Sequence, residues 1–409
     1  MAEENTMAAP SAKYEIDESR RMMIRKPVIT CISIGQGGYN GMRAMLDKPF
    51  VLPENCFVMN YKTDLTSAKL IDVRNHIDIN EHSFGCGKFR KKAYEDAVAG
   101  MSKWLPELQS KINPETDKIF IFVSSGGGLG SGAGPTIAGI LSRPEFAEGI
   151  KGRTADKRKL PVEVIMFKPA LSGDAQEEWE NYSECLKDFS NIVDAKGISL
   201  YIADLSSADT IEGVTKMTPE EKALVVDREV AELLYRYECV EYLGNDTNLD
   251  FEDRYVISCT PKMRALARIE DGMFSSPFVL PKGELVNRSA FECAEDEVKV
   301  VDATTKTLGI TVSDGSFKGI YPESAKSFAY GIIMYSGYNI PESTLKESQN
   351  VVSEIRRKSE AQEKADRSKI NNSYDVNLAR ENKKAIKEAN SAAELSIDTI
   401  LGLVHQDDD

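Results

Sequence analysis

A glycine-rich segment directly after an apolar run limits the folds that this chain can adopt. Residues 124–132 read Ser-Ser-Gly-Gly-Gly-Leu-Gly-Ser-Gly; the β-rich run 119–123 precedes them, and a helical segment opening at Ala133 follows. Glycines let backbone N–H groups approach an anion without a Cβ in the way, and the helix adds its positive end. This order predicts a phosphate-binding loop. A flexible linker is the alternative, but linkers rarely lie between a strand and a helix.

The same succession of strand, turn and helix recurs along the first half of the chain. Strands are predicted at residues 28–34, 56–60, 119–123, 162–167 and 198–202, each followed by a turn and then by helical spacing of apolar residues. Strands that alternate with helices predict an α/β fold with a Rossmann-like parallel sheet. The loops at the carboxyl edge of such a sheet are where ligands bind.

The second half of the chain has a different composition. A long central helix is predicted from Ala223 to Tyr242, and short apolar runs between turn residues then predict a smaller α+β domain with its clearest strand at 328–335. Two helical stretches follow, the second at 376–404. The predicted organisation is a flexible N-terminal arm (1–26), an α/β domain (27–222), a central helix with its loop (223–247), a second α+β domain (248–370) and a C-terminal helix with an acidic tail (371–409).

Composition excludes several classes of protein. A net charge of −14 and a pI near 5.0 argue against a surface that grips nucleic acid directly. Seven cysteines without a CxxC pair are typical of reduced thiols in a cytosol, and three histidines leave hydrolysis to carboxylates. The polar N-terminus is unlike a secretory signal, and no apolar run reaches the ~20 residues that cross a bilayer. We therefore expect a cytoplasmic protein with no membrane partner.

The phosphate loop matches neither of two common nucleotide motifs, because it lacks the Lys-Ser/Thr of a Walker loop and the spacing of Gly-x-Gly-x-x-Gly. It resembles instead the signature loop of the tubulin/FtsZ superfamily, Gly-Gly-Gly-Thr-Gly-Ser-Gly. Residues 126–132 agree with that loop at six of seven positions, with Leu129 in place of Thr. The resemblance implies a GTPase that binds GTP or GDP with Mg²⁺.

Further segments resemble the other nucleotide loops of this superfamily, in the same order along the chain. Three positions depart from the family: Asp204 replaces a guanine-reading Asn, Leu224 replaces a stacking aromatic residue, and Arg228 replaces a base-reading Asn.

Gln36 is expected to reach a phosphate or its Mg²⁺. The resemblance implies nucleotide contacts from Gly35, Gln36, Gly37, Gly38, Asn40, Thr63, Asp64, Gly85, Gly87, Lys88, Gly126, Gly127, Gly128, Leu129, Gly130, Ser131, Gly132, Lys168, Pro169, Asp174, Asp204, Asp227 and Arg228.

An acidic motif follows the central helix. Residues 248–253 read Asn-Leu-Asp-Phe-Glu-Asp and resemble the FtsZ synergy loop, Asn-Val-Asp-Phe-Ala-Asp. Asp250 and Asp253 lie three apart at a predicted helix start, so both point from one face, where they suit polarising water or holding a cation-bound phosphate. Helix capping by Asn248 or Asp250 is the alternative. The resemblance implies that Asn248, Asp250 and Asp253 are catalytic and complete the pocket of the next subunit in a head-to-tail filament.

The resemblance covers residues 28–357, and the long C-terminal helical stretch is most like the plan of the plasmid and phage TubZ-type proteins. It implies a homopolymer that moves or positions DNA, through a small DNA-binding adaptor rather than by direct contact. The final Asp407, Asp408 and Asp409 either bind a basic patch on a neighbouring subunit or keep the end soluble. A cell-division FtsZ-like ring protein, a non-hydrolysing filament and a Rossmann-like dinucleotide enzyme are the alternatives. The last needs an acidic residue about 20 positions after the first glycine turn, and Asp64 lies a little late for that.

Overall fold

The computed structural model describes residues 14–17, 22–49, 51–154, 158–170, 176–204, 207, 217–242, 249–323, 330–373 and 384. The chain divides into two compact units, Met1–Val351 and Val352–Asp409. The first unit contains all the described strands and most of the described helices, so the fold described below is that of this unit.

The described strands are β1 (Tyr14–Asp17), β2 (Met22–Arg25), β3 (Ile29–Ile34), β4 (Cys56–Asn60), β5 (His76–Asp78), β6 (Lys118–Ser124), β7 (Val162–Phe167), β8 (Ser199–Ala203), β9 (Val240–Tyr242), β10 (Lys262–Glu270), β11 (Met273–Ser275), β12 (Leu285–Val286), β13 (Arg288–Ala294), β14 (Thr311–Val312), β15 (Ser316–Tyr321) and β16 (Gly331–Tyr338). The described α-helices are α1 (Gly35–Arg43), α2 (Lys62–Leu65), α3 (Arg90–Lys111), α4 (Gly128–Leu141), α5 (Pro144–Glu148), α6 (Gln176–Ile192), α7 (Pro219–Cys239), α8 (Phe251–Ser258), α9 (Val298–Thr307) and α10 (Glu342–Ser373).

Eleven of the described strands form one sheet in the order β15-β13-β16-β10-β8-β7-β6-β3-β4-β5, with β11 paired to β10. The strands from β8 to β5 are all parallel, so the predicted α/β class with a Rossmann-like parallel sheet is confirmed. The second half joins the same sheet, because β10 runs parallel to β8 and then pairs antiparallel with β16.

The central strands are buried on both faces. Every residue of β3, β4 and β7 is buried, which is why these segments are mostly apolar without a strict alternation. Helix α4 packs against α3 and α6, whereas α1 packs against β6 and α7. The parallel sheet therefore lies between two helical layers, and the loops that leave its carboxyl edge meet at one end of the strands.

The central helix differs from the sequence-based expectation at both ends. Helix α7 begins earlier, at Pro219, because Thr218 and Glu221 form a reciprocal capping box. It ends at Cys239, and the next three residues become β9 instead of more helix. The strand predicted at 328–335 is β16, shifted to Gly331–Tyr338.

The segment predicted as a flexible arm contains two strands. β1 pairs with β2, and β2 pairs with β9 just after the central helix. Met22 is buried in a cluster with Val240, Tyr242 and Tyr321, so burial of apolar side chains holds this hairpin in place. The short strands lack a long apolar pattern, which is why the sequence did not reveal them. The predicted helix at 376–404 and the final aspartates lie outside the described residues, apart from Lys384.

All seven cysteines lie within described ranges and are free thiols. Six are buried and Cys259 is half-buried. Among the helices of the described part of the chain, none is both long enough and apolar enough to traverse a bilayer.

Candidate functional site

The glycine loops converge on one cavity at the carboxyl edge of the parallel sheet. The cavity has a volume of about 220 Å³ and lies where β3, β4 and β6 end and where α1 and α4 begin. Both helices direct their unpaired N-terminal N–H groups and positive dipole ends to this place. Nine of the sequence-predicted residues line it: Gly35, Gln36, Gly37, Asp64, Gly87, Gly127, Gly128, Leu129 and Gly130.

The glycines around this cavity have two different physical roles. A Cβ at Gly37 would lie 2.4 Å from the Ser124 Cβ, and one at Gly128 would lie 2.3 Å from the Gly87 carbonyl oxygen, so both positions need glycine for packing. A Cβ at Gly127 meets nothing within 4 Å and would project into open space. Gly127, the N-cap of α4, is therefore the position where missing side-chain volume leaves room for a ligand.

Several predicted residues hold the loops together rather than lining the cavity. Asn40 Oδ1 accepts a 3.1 Å hydrogen bond from Gln36 Nε2, and Ser67 Oγ donates a 2.5 Å hydrogen bond to Gln36 Oε1. The Thr63 hydroxyl donates to the Phe84 carbonyl at 3.2 Å. Close packing fixes Gly38 and Gly132, whose Cβ atoms would approach the carbonyl oxygens of Phe122 and Arg90, while the Ser131 hydroxyl donates to the Gly127 carbonyl.

Charge in the cavity is sparse. Asp64 is the sole charged residue among the described residues that line it. Lys88, predicted to contact the nucleotide, instead donates a 2.9 Å hydrogen bond to Glu178 of α6 and lies outside the lining. Gly85, next to it, has φ +142°, a conformation that favours glycine. A phosphate bound here would depend on backbone N–H groups, the two helix ends and a metal ion.

Mg²⁺ usually binds through one or two carboxylates together with substrate phosphates and water. The cavity offers Asp64 and, as a neutral oxygen donor, Gln36. No group of three or more His, Cys, Asp or Glu residues able to hold a metal ion occurs in the described part of the chain. The donor set therefore fits a magnesium ion brought in with a nucleotide better than a site built from protein ligands alone.

Lys168 and Asp204 form an ion pair at the ends of β7 and β8. Lys168 Nζ lies 3.1 Å from Asp204 Oδ2 and 2.8 Å from Glu347 Oε1, and the lysine side chain is only 4% exposed. Neither residue lines the cavity. In the single chain the two side chains are paired with each other, so guanine reading by Asp204 and nucleotide contact by Lys168 stay predictions, and Pro169 packs near Gly126. Asp174 lies outside the described residues.

Asp227 and Arg228 lie on α7 with different exposure. Asp227 is buried, and burial raises the pKa of its carboxyl to about 7, although Arg43 opposes that change. Arg228 is exposed. Neither side chain belongs to the cavity lining, so the structure does not bring this pair into the cavity.

The acidic motif forms the first turn of α8. Asp250 is the N-cap, and its Oδ1 accepts a 2.9 Å hydrogen bond from the Asp253 backbone N–H. Burial and the negative charge of Asp250 raise the pKa of the Asp253 carboxyl. In the single chain Asp250 therefore caps the helix, as the alternative interpretation of the motif predicts. Its side chain is also exposed to solvent. Asn248 lies outside the described residues.

The acidic pair and the glycine cavity lie at opposite edges of the sheet. Lys118, the first residue of β6, contacts α8 through a 2.6 Å hydrogen bond from its Nζ to Ser258 Oγ. Arg158, just before β7, pairs with Glu252 of α8 at 2.7 Å. The cavity lies at the other end of β6, and a strand of seven residues spans about 20 Å. One chain therefore cannot bring its own Asp250 and Asp253 to its own cavity.

Buried ion pairs hold α8 against the amino edge of the sheet. Lys118 Nζ lies 2.9 Å from Glu163 and also contacts Glu238 of α7, and Arg264 Nη1 lies 2.6 Å from Glu163. Burial disfavours the charge of Lys118, but the two carboxylates outweigh it and raise the lysine pKa. This cluster connects β6, β7, α7, α8 and β10, so the position of the acidic pair is fixed by both halves of the chain.

Asn181 is a site residue that sequence reasoning missed. Its Nδ2 donates 3.0 Å hydrogen bonds to the carbonyls of both Lys88 and Gly126, which ties two cavity loops to α6. The signal was present, because Asn181 is a buried amide within the apolar stripe that also carries Trp179 and Tyr182. The sequence also gave no indication of the cavity-lining residues Ile34, Asn60 and Tyr61, whereas Ser124 and Cys86 belong to predicted loops.

The chain has the α/β fold of the tubulin and FtsZ-like proteins. It is similar to the TubZ of Clostridium botulinum phage c-st, with a TM-score of 0.59 and 18% identity over 81% of this chain and 99% of that one. It is similar to the TubZ of Bacillus thuringiensis serovar israelensis, solved as a GTPγS-form protofilament, with a TM-score of 0.60 and 15% identity over 84% and 94%. CetZ1 of Haloferax volcanii, a GDP-bound monomer, gives a TM-score of 0.57 and 16% identity over 80% and 99%.

No protein-family model matches the sequence. The comparison with curated proteins also found no match. The expected relation to the tubulin and FtsZ-like class, including phage TubZ, therefore rests on the fold, which the solved structures share over most of this chain.

Proposed function

We propose that this protein is a GTPase that assembles head to tail into filaments and hydrolyses GTP at the joint between two subunits. The observation that carries the proposal is the separation of its two functional groups. A cavity of about 220 Å³, with no cation among the described residues that line it, lies at one edge of the sheet. The acidic pair, of which Asp250 is exposed and Asp253 half-buried, lies beyond the other end of β6, a strand about 20 Å long. In a head-to-tail contact, the acidic pair of each subunit lies against the cavity of its neighbour. Every subunit then contributes its cavity to one joint and its acidic pair to the next.

The proposed reaction is attack of water on the terminal phosphate of GTP. The N-termini of α1 and α4 and the backbone of Gly127 to Gly130 bind the phosphates, which compensates for the lack of a lysine. Asp64 and Gln36 are the residues that would hold a Mg²⁺ ion brought in with the nucleotide, and the ion would supply positive charge against the phosphates. Asp250 and Asp253 of the adjoining subunit orient the attacking water and accept its proton. Hydrolysis is therefore switched on by assembly.

The raised pKa of Asp253 supports its proposed role as the group that accepts the proton of the attacking water. A carboxyl whose proton is lost less readily than usual is a better base once ionised, and Asp250 beside it stabilises a transferred proton. The contact from a second molecule would also exclude water from the cavity, which strengthens every electrostatic interaction inside it.

The cellular role that we propose is the movement or positioning of plasmid or phage DNA. The acidic surface of the chain, with a net charge of −14, makes direct binding to DNA unfavourable, so a small basic adaptor protein would connect filament and DNA. Co-sedimentation of labelled DNA with filaments tests this role. Recovery of DNA only when a DNA-binding protein encoded by a neighbouring gene is added supports it, and no recovery with any such protein contradicts it.

Asp250→Asn separates catalysis from capping. Asparagine caps helices as well as aspartate does, so the variant is expected to fold and to bind GTP normally. Loss of the carboxylate is expected to lower GTP turnover roughly 100-fold and to give longer-lived filaments. Phosphate release and light scattering measure the two effects.

Glu252→Gln is the matched control, because it removes one carboxylate from the same helical turn but only breaks the exposed pair with Arg158. Its turnover is expected to stay within about twofold of the natural protein. Unchanged turnover in Asp250→Asn would show that Asp250 is only a helix cap.

A further inference from the structure

Two large aromatic side chains project into solvent beside the cavity. Phe84 is 86% exposed and Phe89 is 71% exposed, and they flank the glycine loop at residues 85–88. Phe89 is the N-cap residue of α3, where no side-chain cap is made. Exposure of two phenylalanine rings only five residues apart is unfavourable in a single subunit and is typical of an interaction site.

The loop that carries these rings lies over the N-terminus of α4. A Cβ at Gly128 would lie 2.3 Å from the Gly87 carbonyl oxygen and 3.0 Å from the Cys86 sulfur, so the loop and the helix start are in direct contact. Lys88 lies between the two rings in sequence, but its charge is paired with Glu178. The loop therefore presents two apolar rings and no unpaired cation at the end of the molecule that holds the cavity.

The opposite end of α4 borders a second cavity, of about 330 Å³. Leu141 and Leu160 are buried at its base, and Pro144 and Ala147 belong to its apolar lining. Arg143 and Arg158 also line it. Arg158 already lies over the Tyr255 ring, 5.0 Å from its centroid, and pairs with Glu252, so this cavity adjoins the helix that carries the acidic pair.

The two ends are related by the direction of the secondary structure. Helix α4 runs 14 residues, about 21 Å, from the loop at 85–88 to the second cavity. Strand β6 runs about 20 Å from the glycine cavity back to α8. A translation along these elements that brings one subunit's α8 over its neighbour's glycine cavity therefore also brings the second cavity over the neighbour's Phe84 and Phe89.

We propose that Phe84 and Phe89 of one subunit insert into the cavity between α4 and β7 of the next copy of this chain. This contact rests on the proposed function and adds the apolar anchor of the filament joint. About 150 Å³ is enough for a benzene-sized guest, so roughly 300 Å³ accommodates both rings. The guanidinium groups at the rim suit contact with aromatic faces. In this contact the acidic pair takes part in hydrolysis, and the two rings stabilise the association of the subunits.

Serine substitutions at the two rings test the proposal with the full-length protein. Phe84→Ser and Phe89→Ser are each expected to raise the critical concentration for GTP-dependent assembly about tenfold or more, because buried aromatic residues dominate interfaces. GTP binding by the unassembled subunit is expected to stay unchanged. Val98→Ser is the matched control, because Val98 is an exposed apolar residue farther along α3, and it is expected to leave assembly unaffected.

Blocking the receiving cavity tests the other face. Ala147→Trp fills the space between α4 and β7 and is expected to raise the critical concentration to a similar degree, with circular dichroism confirming the fold. A cross-link then identifies the contact directly. A chain that carries both Phe89→Cys and Pro144→Cys is expected to give a ladder of disulfide-linked oligomers with GTP, whereas each single cysteine variant gives none.

The outcomes separate this contact from the function on which it rests. Assembly of the serine variants at the critical concentration of the natural protein, or filaments without the cross-linked ladder, would overturn the contact while leaving the GTPase filament in place. A natural protein that binds GTP but never assembles would overturn both.

Discussion

At the scale of single residues, the glycines of the phosphate loop are not interchangeable. Gly127 borders open space, whereas Gly128 is pressed against the Gly87 carbonyl oxygen. The backbone of Gly127, with φ −78° and ψ 164°, is one that any residue adopts. The absence of a side chain at Gly127 therefore leaves room for a ligand. The absence of a side chain at Gly128 is needed for the packing of the loop against α4.

Gly127→Ala and Gly128→Ala are expected to have opposite consequences. Alanine at 127 should place a methyl group in the cavity and weaken GTP binding about tenfold or more, with an unchanged free energy of unfolding. Alanine at 128 should push the loop 85–88 away and cost about 1–3 kcal/mol of stability. Calorimetric titration with GTP and urea denaturation measure the two quantities. Equal loss of stability in both variants would mean that Gly127 is also a packing residue.

The residue scale also shows what residue identity leaves out. Lys88, Lys168 and Asp204 are predicted to contact the nucleotide, and each is engaged in an ion pair with a residue far along the chain. A sequence reveals which residue could contact a nucleotide. It does not reveal that Glu178 pairs with the Lys88 ammonium group or that Glu347 pairs with that of Lys168.

At the scale of elements, the position of α8 depends on a cluster of buried charges. Lys118 is 5% exposed and Glu163 is fully buried, and the cluster they form with Glu238 and Arg264 contacts α8 through Ser258. Removing one partner of a buried ion pair leaves an uncompensated charge, which costs far more than losing a surface pair. The geometry of the acidic pair is therefore linked to the start of β6.

Lys118→Met is expected to lower the free energy of unfolding by about 3–5 kcal/mol, because Glu163 and Glu238 lose their shared cation. Adding Glu238→Gln should restore part of that loss. Lys346→Met, which breaks an exposed helical pair with Glu342, should change stability by less than about 1 kcal/mol. Chemical denaturation measures all three. A Lys118→Met protein as stable as the Lys346→Met protein would contradict the role of the cluster.

At the scale of the whole molecule, the parallel sheet acts as a spacer with different chemistry at its two edges. The cavity end carries helix N-termini and glycines, and the other end carries carboxylates on α8. This polarity suits a chain that adds copies of itself in one direction, because the two contact surfaces differ and do not close on themselves.

Mixing two variants that are impaired at opposite ends tests that polarity, at a GTP concentration too low to saturate Gly127→Ala. Gly127→Ala has an impaired cavity and an intact acidic pair, while Asp250→Asn has the reverse. Each alone should release phosphate slowly, and the mixture should recover activity because an intact cavity meets an intact acidic pair at some joints. Asp250→Asn mixed with Asp253→Asn should show no recovery, since both variants lack the same end. Failure of the first mixture to recover activity would indicate a site contained within one chain.

The sequence by itself determined the local features of this protein. Strands β4 and β7 begin and end where their apolar runs do. The phosphate loop follows β6 as expected, but α4 begins at Gly128, within the loop, rather than at Ala133. The acidic motif begins a helix as predicted. These features depend on residues that are neighbours along the chain, so their spacing alone carries the information.

Only the tertiary structure decided which of these features meet. It paired β2 with β9, engaged Lys168 with Asp204, added Asn181 to the cavity loops and placed the acidic pair at the far edge of the sheet. Each of these contacts joins segments that are distant in sequence, and their geometry follows from how the strands stack and the helices pack. The sequence identifies the side chains that can form these contacts, but it does not give the distances between them.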